Sequence, residues 1–405
     1  MRHSNYQYLT VAQAAQGAAL LSAANAIPVA SSGWGEWEGQ GNGNGGGYGP
    51  GSSQPSGAPA PPPAGPPAPL KSGNPFSFPL SNGFPNLSPD ELNATEIQAH
   101  GTEPNGGAPT GLAADDLTSF RLIAFNEIFE VAFFTDLLFN ITTNVPGFTI
   151  DDHNTRQLVI NAITAIQAQE ELHADNANKI LMANGADPIQ PCQYKFPSAT
   201  LDDALAFAKT FTDVVLGTLQ DVQLHLAQNN DDGVVPVIGS VIGQEGEQTG
   251  FFRFFAGLTP SELPFLTRSS REFAFSVLNQ AVVVPGTCPN ENQIDLPIFL
   301  PLTVNTSPIE PKDQTLSFSV PVDKSSPPAG LSLVYINSQN VPIVEKVENA
   351  QVSNGMATFE AFFPYTENLL NGLTIAALTN SSGPFTSAED VAKVTIAGPG
   401  LIEIM

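Results

Sequence analysis

The chain has 405 residues, more than one ordinary domain needs, and carries 39 acidic against 14 basic side chains, a formal net charge of −25. This balance argues against nucleic acid and anionic membrane surfaces, since both are bound through basic groups. No P-loop, dinucleotide fingerprint or nucleophile elbow occurs in the sequence, which disfavours the common nucleotide-binding and serine-hydrolase classes.

The N-terminus has the pattern of a secretory signal peptide. Two basic residues precede an Ala- and Leu-rich stretch, which ends at the small-x-small tripeptide Ala24-Asn25-Ala26. Two glutamines make this stretch too polar for a membrane span, and no other segment is a candidate. We therefore predict a signal peptide at residues 1–26 and a secreted, extracellular or cell-wall protein. A disordered Ala-rich tail is the alternative.

Low-complexity sequence follows this segment. Runs such as GNGNGGGYGPG and PSGAPAPPPAGPPAP cannot bury a core, because they are almost free of apolar side chains larger than alanine and proline. We predict a disordered Gly/Pro-rich linker over residues 27–114, whose last part runs along the surface of the next domain.

Apolar residues recur at helical spacing from Asp115 onward and predict five helices. The fifth is expected to begin at the cap Thr259-Pro260-Ser261-Glu262. A short link joins the third and fourth helices and a long link joins the second and third, as in a four-helix bundle with one crossover. The bundle and its fifth helix are predicted over residues 115–284, with helices at about 115–139, 154–183, 201–228, 234–255 and 259–282.

The pattern changes again after the helices. Segments such as LSLVYIN, ATFEAFF and LTIAALT alternate or run apolar between Pro-, Ser-, Asn- and Gly-rich turns. They predict a small antiparallel β-sandwich of Ig-like type over residues 295–405. The predicted fold class is therefore multidomain α and β.

Polar side chains interrupt the apolar stripes of three predicted helices. Burying unpaired carboxylates is expensive, so a metal ion or a proton held at a raised pKa must compensate for them. A Glu-x-x-His pair places two ligands one turn apart on the same helix face. The inward positions are Glu127 and Glu130 on the first helix, Glu170 and His173 on the second, and Glu245 and Gln248 on the fourth.

Three motifs carry a resemblance to a known family. FNEIFEVAFFTDLL, EELHADNANKIL and VIGQEGEQTGFFRF are similar to the first, second and fourth helices of a fungal ferritin-like family related to the stress-response protein Rds1 and late sexual development proteins. The resemblance covers about residues 115–282. It implies a ferritin-like bundle, an association with stress response or sexual development, and a carboxylate–histidine site for iron or manganese.

Two positions depart from a complete dinuclear site, which needs a glutamate on the first and third helices and Glu-x-x-His on the second and fourth. Gln248 stands where a histidine is expected, and the third helix has no glutamate. Asp213 is a weak substitute there, since the neutral Thr212 fits the apolar stripe better. Two interpretations stay open: a metal-free hydrogen-bonded remnant, or one ion held by Glu127, Glu170, His173 and Glu245.

Cysteines and glycosylation acceptors fit an exported chain. Cys192 and Cys288 are the only cysteines, and an oxidising compartment favours one disulfide between them. Asn-x-Ser/Thr acceptors at Asn93, Asn140 and Asn380 are candidate glycosylation sites.

Two functions compete at this level. The first is a secreted ferritin-like protein with a structural or interaction role and a degenerate metal site, which would not be an enzyme. The second is a mono- or di-metal oxidoreductase, using iron or manganese on peroxide or oxygen. Iron storage is disfavoured, because nothing in the sequence indicates a cage-forming surface. The metal, substrate, partner and oligomeric state cannot be read from the sequence.

Overall fold

The computed structural model describes residues 77–322 and 330–404. The predicted signal peptide at residues 1–26 and the low-complexity runs lie outside the described residues. Within them, helices fill the first part of the chain and antiparallel strands fill the second.

The described helical region contains six α-helices, of which the four long ones, the second to the fifth in the chain, correspond to the first four predicted helices. The helices are α1 (Pro89–Ala99), α2 (Ala114–Thr142), α3 (His153–Ala183), α4 (Leu201–Gln228), α5 (Val235–Phe255) and α6 (Arg271–Ala281), with a 3₁₀ turn (Asp232–Val234) between α4 and α5. The closest helix pairs are α2 with α3 and α4 with α5. Every side chain of α2 from Leu122 to Phe134 is buried, so α2 is the central helix. Among the described residues no helix is both long and apolar enough to cross a membrane.

Helix α1 lies inside the segment that the sequence predicted as linker. Ser88 caps its N-terminus, and the Glu91 side chain accepts a hydrogen bond from the Ser88 backbone N–H in return, at 2.7 Å. Pro89 follows the cap directly. The helix packs on α3. The capping box was therefore present in the sequence, but the surrounding Pro- and Gly-rich composition concealed it.

The predicted start of the last helix at Thr259 is wrong, because α6 begins only at Arg271. Glu262, expected in the cap, instead forms an ion pair with Arg253 of α5, with 2.5 Å between Nη1 and Oε1. The Arg253 Nε–H donates to the Thr259 carbonyl. The stretch before α6 is non-helical and crosses α4 at Gly217, where a Cβ would lie only 2.4 Å from the Thr267 carbonyl oxygen.

In the described part of the β region the strands form two four-stranded antiparallel sheets, so an antiparallel β region after the helices is confirmed. The strand orders are β1-β2-β6-β5 and β4-β3-β7-β8. The strands are β1 (Thr303–Val304), β2 (Gln314–Pro321), β3 (Ser332–Asn337), β4 (Ile343–Lys346), β5 (Glu348–Ser353), β6 (Met356–Phe363), β7 (Gly372–Thr379) and β8 (Thr395–Ile404). Shorter helical segments are the 3₁₀ turn Glu291–Gln293, α7 (Tyr365–Asn368) and α8 (Ala388–Ala392).

Strands β3 and β7 are buried on both faces, which explains their continuous apolar runs. On one face Tyr335 packs against Phe318 and Phe363 of the opposite sheet. On the other face Ile336 and Ile375 belong to the same apolar core as the helices. One face of this sheet therefore shares the core of the helices, whereas the two sheets enclose a core of their own.

The predicted disulfide is confirmed in the structure, where Cys192 is bonded to Cys288 with 4.2 Å between their Cα atoms. Two backbone hydrogen bonds run beside it, from Lys195 N–H to the Val282 carbonyl and from Val284 N–H to the Gln193 carbonyl, each at 2.9 Å. The bond ties the α3–α4 crossover to the segment that follows α6.

Candidate metal centre

Four of the predicted side chains converge in the middle of the helical region. Glu127 comes from α2, Glu170 and His173 from α3, and Glu245 from α5. One ligand atom from each lies within 4.8 Å of all the others. The three carboxylates are at most 1% exposed. The inward turn of these positions, predicted from helical spacing alone, therefore brings the four groups together.

His173 is the centre of this group, which we call the carboxylate–histidine cluster (Glu127, Glu170, His173 and Glu245). Its Nδ1 atom lies 2.9 Å from Glu170 Oε2, 3.5 Å from Glu127 Oε2 and 3.9 Å from Glu245 Oε1. The Glu170–His173 spacing of three residues places both side chains one helical turn apart, as expected for Glu-x-x-His.

The electrostatics of the cluster are unbalanced. Burial, followed by the charges of Glu170 and Glu130, raises the pKa of Glu245 well above its usual value. Burial also raises the pKa of Glu127 to about 7, although His173 acts in the opposite direction. Burial alone would lower the pKa of His173, but Glu170 and Glu127 more than offset this and raise it well above normal. Even a charged imidazole balances only one of the carboxylates.

Unpaired oxygens add to this imbalance. Both carboxylate oxygens of Glu245 are buried and have no hydrogen-bond partner among the described residues. Glu127 Oε2 is in the same situation. A buried polar group that makes no hydrogen bond costs about 1–3 kcal/mol of folding free energy, and more when it is charged. The cluster therefore has the composition of a cation site.

The other two predicted residues lie at the edge of the cluster. The Gln248 amide donates to Glu170 Oε1, and its own Oε1 is unpaired. Glu130 is fully buried and accepts a hydrogen bond from Asn126 Nδ2 at 3.0 Å. Burial, followed by the charges of Glu170 and Glu127, raises the pKa of Glu130 well above normal. Glu130 does not belong to the convergent set, Gln248 contacts that set through Glu170, and the role of both residues as ligands stays a prediction.

Asp213, the weak candidate on α4, belongs to a different group. Its carboxylate oxygens gather with those of Glu262 and Glu403 within 4.8 Å, a group that we call the second acidic cluster. Lys209 Nζ lies 2.6 Å from Glu403 and 3.5 Å from Asp213. Lys209, and Arg253 beside Glu262, thus already provide positive charge to this cluster, which joins α4 to β8.

Glu171, the neighbour of Glu170 on α3, does not belong to the carboxylate–histidine cluster. The side chain is buried beneath α1 and accepts hydrogen bonds from Asn82 at 2.7 Å, Gln167 at 2.8 Å and Thr95 at 3.2 Å. Burial raises its pKa to about 7 despite these bonds. Helix α1, which composition alone concealed, supplies the surface that covers this side chain.

A pocket of about 770 Å³ reaches the carboxylate–histidine cluster from outside. Glu127 and His173 lie on its wall, and the His173 side chain is 17% exposed. Helices α2–α5, the last residue of α1 and the residues after it form the remaining walls. Sequence periodicity did not indicate this pocket, because it depends on the spacing between helices that are distant in the chain.

The residues present fit a metal ion. Ligand atoms about 2.0–2.2 Å from one ion lie about 3–4 Å from one another. The distances from His173 Nδ1 to the three carboxylates, 2.9–3.9 Å, fall in this range. The unpaired Glu245 oxygens are free to serve as ligands.

The candidate glycosylation acceptors differ in accessibility. Asn93 and Asn380 are exposed. Asn140 is half-buried on α2, and its amide nitrogen donates to Asp136 Oδ2 at 2.8 Å. Glycosylation itself stays a prediction at all three positions.

Comparison with known proteins agrees with the geometry. A family model described as "Ferritin-like domain" matches residues 116–258, about a third of the chain. The match spans most of α2, all of α3 and α4, and α5, and includes every member of the carboxylate–histidine cluster. Residues 116–258 are therefore similar to a ferritin-like domain. No curated protein matches the chain.

Proposed function

We propose that the carboxylate–histidine cluster binds one divalent iron or manganese ion. The observation that carries this proposal is the convergence of three buried carboxylates and an imidazole from three helices, within 4.8 Å of one another. Carboxylates suit manganese and imidazole suits iron, so a mixed oxygen and nitrogen set is compatible with either metal. In this proposal α2–α5 form a four-helix bundle and the β region is an Ig-like sandwich.

Metal analysis of the untagged protein tests this proposal. After growth with ample iron and manganese we expect about one equivalent of metal, because one Glu-x-x-His unit is present. His173→Ala should remove most of it by deleting the central ligand. His153→Ala, at an exposed position on the same helix, is the matched control and should retain the metal. Less than a tenth of an equivalent in the unaltered protein contradicts metal binding.

A second candidate function is oxidoreductase activity on peroxide or oxygen, supported by the pocket that reaches Glu127 and His173. Bound iron or manganese would supply the redox chemistry, while the buried glutamates hold the ion and the pocket admits the reactant. Peroxide consumption by the metal-loaded protein, lost in His173→Ala and retained in His153→Ala, is the expected result. Full metal loading without turnover contradicts catalysis and leaves a structural or interaction role.

The biological setting belongs to the same proposal. The signal-peptide pattern at residues 1–26 and the Cys192–Cys288 disulfide support a secreted protein of the extracellular space or cell wall. The motif resemblance supports a fungal stress-response or sexual-development role related to Rds1. Fractionation of producing cells, with N-terminal sequencing of the exported chain, tests export. An intracellular chain that keeps Met1 contradicts it.

A further inference from the structure

The pocket beside the carboxylate–histidine cluster has a distinctive wall. Its volume of about 770 Å³ lies in the range of small-molecule sites. The wall is mainly apolar, with Phe120, Ile123, Leu172, Leu219, Ile238 and Val241 among the lining side chains. A site of this size and composition binds an organic molecule through apolar contact and a few polar groups.

The charges on the wall restrict the ligand further. None of the described residues that line the pocket is a lysine or an arginine. Glu103 and Glu127 are its acidic members, and His173 already faces the carboxylates of the cluster. In the pocket without a bound metal ion, an anionic ligand would leave water with no lysine or arginine among the described lining residues to pair with it, at a considerable cost in free energy.

Neutral polar groups mark one side of the wall. Gln169 and Gln244, on α3 and α5, are joined by a hydrogen bond of 2.8 Å from Gln244 Nε2 to Gln169 Oε1. Gln244 Oε1 is buried and has no donor among the described residues. The wall also includes the carboxylates of Glu103 and Glu127, so it is rich in acceptor oxygens to which a hydroxyl or amine group on a ligand can donate.

We propose that this pocket binds a neutral, mostly apolar organic molecule that carries a hydrogen-bond donor, and that it holds this molecule against the Glu127–His173 side of the cluster. Binding to the pocket does not require a metal ion. If this molecule is the substrate of a metal-loaded cluster, that role rests on the proposed function.

Two fluorescent probes with the same anilinonaphthalene scaffold test the charge preference. N-phenyl-1-naphthylamine is neutral and has one N–H donor, whereas 8-anilinonaphthalene-1-sulfonate adds an anionic group. Titrated into the full chain with known metal content, the neutral probe should saturate near one equivalent. The sulfonate should bind at least tenfold more weakly. Equal or tighter binding of the sulfonate overturns the proposal.

Variants that fill the pocket test its location. Val241→Trp places a large ring on the wall, and Ser240→Trp does the same from an exposed lining position that is not needed for packing. Each should weaken binding of the neutral probe at least tenfold. The probe is excited at wavelengths longer than tryptophan absorbs, so that the new side chains do not contribute to the signal. Glu247→Trp, exposed on the same helix and outside the lining set, is the control and should bind normally.

The outcomes separate the two proposals. Unchanged probe binding in both pocket variants overturns the pocket assignment, even if metal is present. Probe binding that follows the expected pattern in a protein without metal supports the pocket and contradicts the metal centre. Metal content is therefore measured on every sample, together with circular dichroism to verify folding.

Discussion

At the scale of single residues, buried carboxylates dominate the helical region, and not all of them belong to the metal centre. Asp136 on α2 is half-buried and accepts one hydrogen bond, from Asn140. Burial raises its pKa to about 6. Such a group destabilises the folded protein at pH values where it is ionised, because the folded state disfavours its charged form.

The variant Asp136→Asn tests this cost. Since the folded pKa lies above the unfolded value of about 3.9, the folded protein binds more protons here between about pH 4 and 6, and stability falls as pH rises across this window. At pH 7.5 the variant should be more stable than the unaltered protein by about 2 kcal/mol, with the difference vanishing below pH 4. Urea unfolding across this pH range measures it.

The control is Asp151→Asn, at an exposed position before α3. It should shift the unfolding midpoint little at any pH in this range. A stability gain for Asp136→Asn that is equally large at pH 4 and pH 7.5 would show that ionisation is not the cause.

Individual positions were also the part of the site that the sequence predicted best. Glu170 and His173 interrupt a regular apolar stripe, so helical geometry alone required both to face inward. Glu127 and Glu245 followed from the same rule on other helices. The hydrogen-bond partners of these glutamates did not follow from this rule. The bonds from Gln248 to Glu170 and from Asn126 to Glu130 depend on side-chain conformation, which helical spacing does not determine.

At the scale of elements, close approach between segments is decided by small residues. The non-helical stretch before α6 crosses α4 where Gly217 leaves room for the Thr267 carbonyl. The sequence favoured a helical cap at Thr259, since Pro260 and Glu262 have the right spacing. Tertiary contacts overrode this local preference, because Arg253 binds both the Thr259 carbonyl and Glu262.

Two glycine variants on helices separate crowding from helix propensity. Gly217→Ala should destabilise the protein by more than about 1 kcal/mol, because the new methyl group would overlap the Thr267 carbonyl and force a backbone shift. Gly243→Ala on α5 meets no atom within 4 Å and should stabilise by up to about 1 kcal/mol. Thermal unfolding measures both. Equal stabilisation by the two variants would refute the close approach.

Helix α1 shows why boundaries were harder to predict than helix faces. Its capping box is a local signal, but few of its side chains make apolar contacts with α3. The helix therefore has little apolar periodicity by which it could be predicted. The burial of Glu171 followed from the same contact. The β region was predicted in type from its alternation, whereas its packing against the helices depends on long-range contacts that periodicity does not contain.

At the scale of the whole molecule, the helical and β regions are joined by a buried ion pair as well as by a shared core. Lys209 on α4 reaches Glu403 on β8, and its side chain is 5% exposed. Removing one partner of a buried pair is costly, because the other charge stays buried without compensation.

The variant Lys209→Met should therefore lower the free energy of unfolding by about 3 kcal/mol, because Asp213 and Glu403 lose their shared cation. Lys393→Met, which breaks an ion pair whose lysine side chain is 60% exposed, should cost less than about 1 kcal/mol. Urea unfolding of both variants provides the comparison. Similar small effects would show that the buried pair contributes little to joining the two regions.

The Lys209–Glu403 contact also has a consequence during protein synthesis. Its two residues are separated by 194 positions in the chain. At ribosomal rates of about 5–20 residues per second, the lysine would wait about 10–40 s before its partner has been made. Helices α2–α5 thus leave the ribosome well before β8 has been made. During that time Lys209 has Asp213 but not Glu403 as a partner, and the apolar face that later packs on the β region is uncovered.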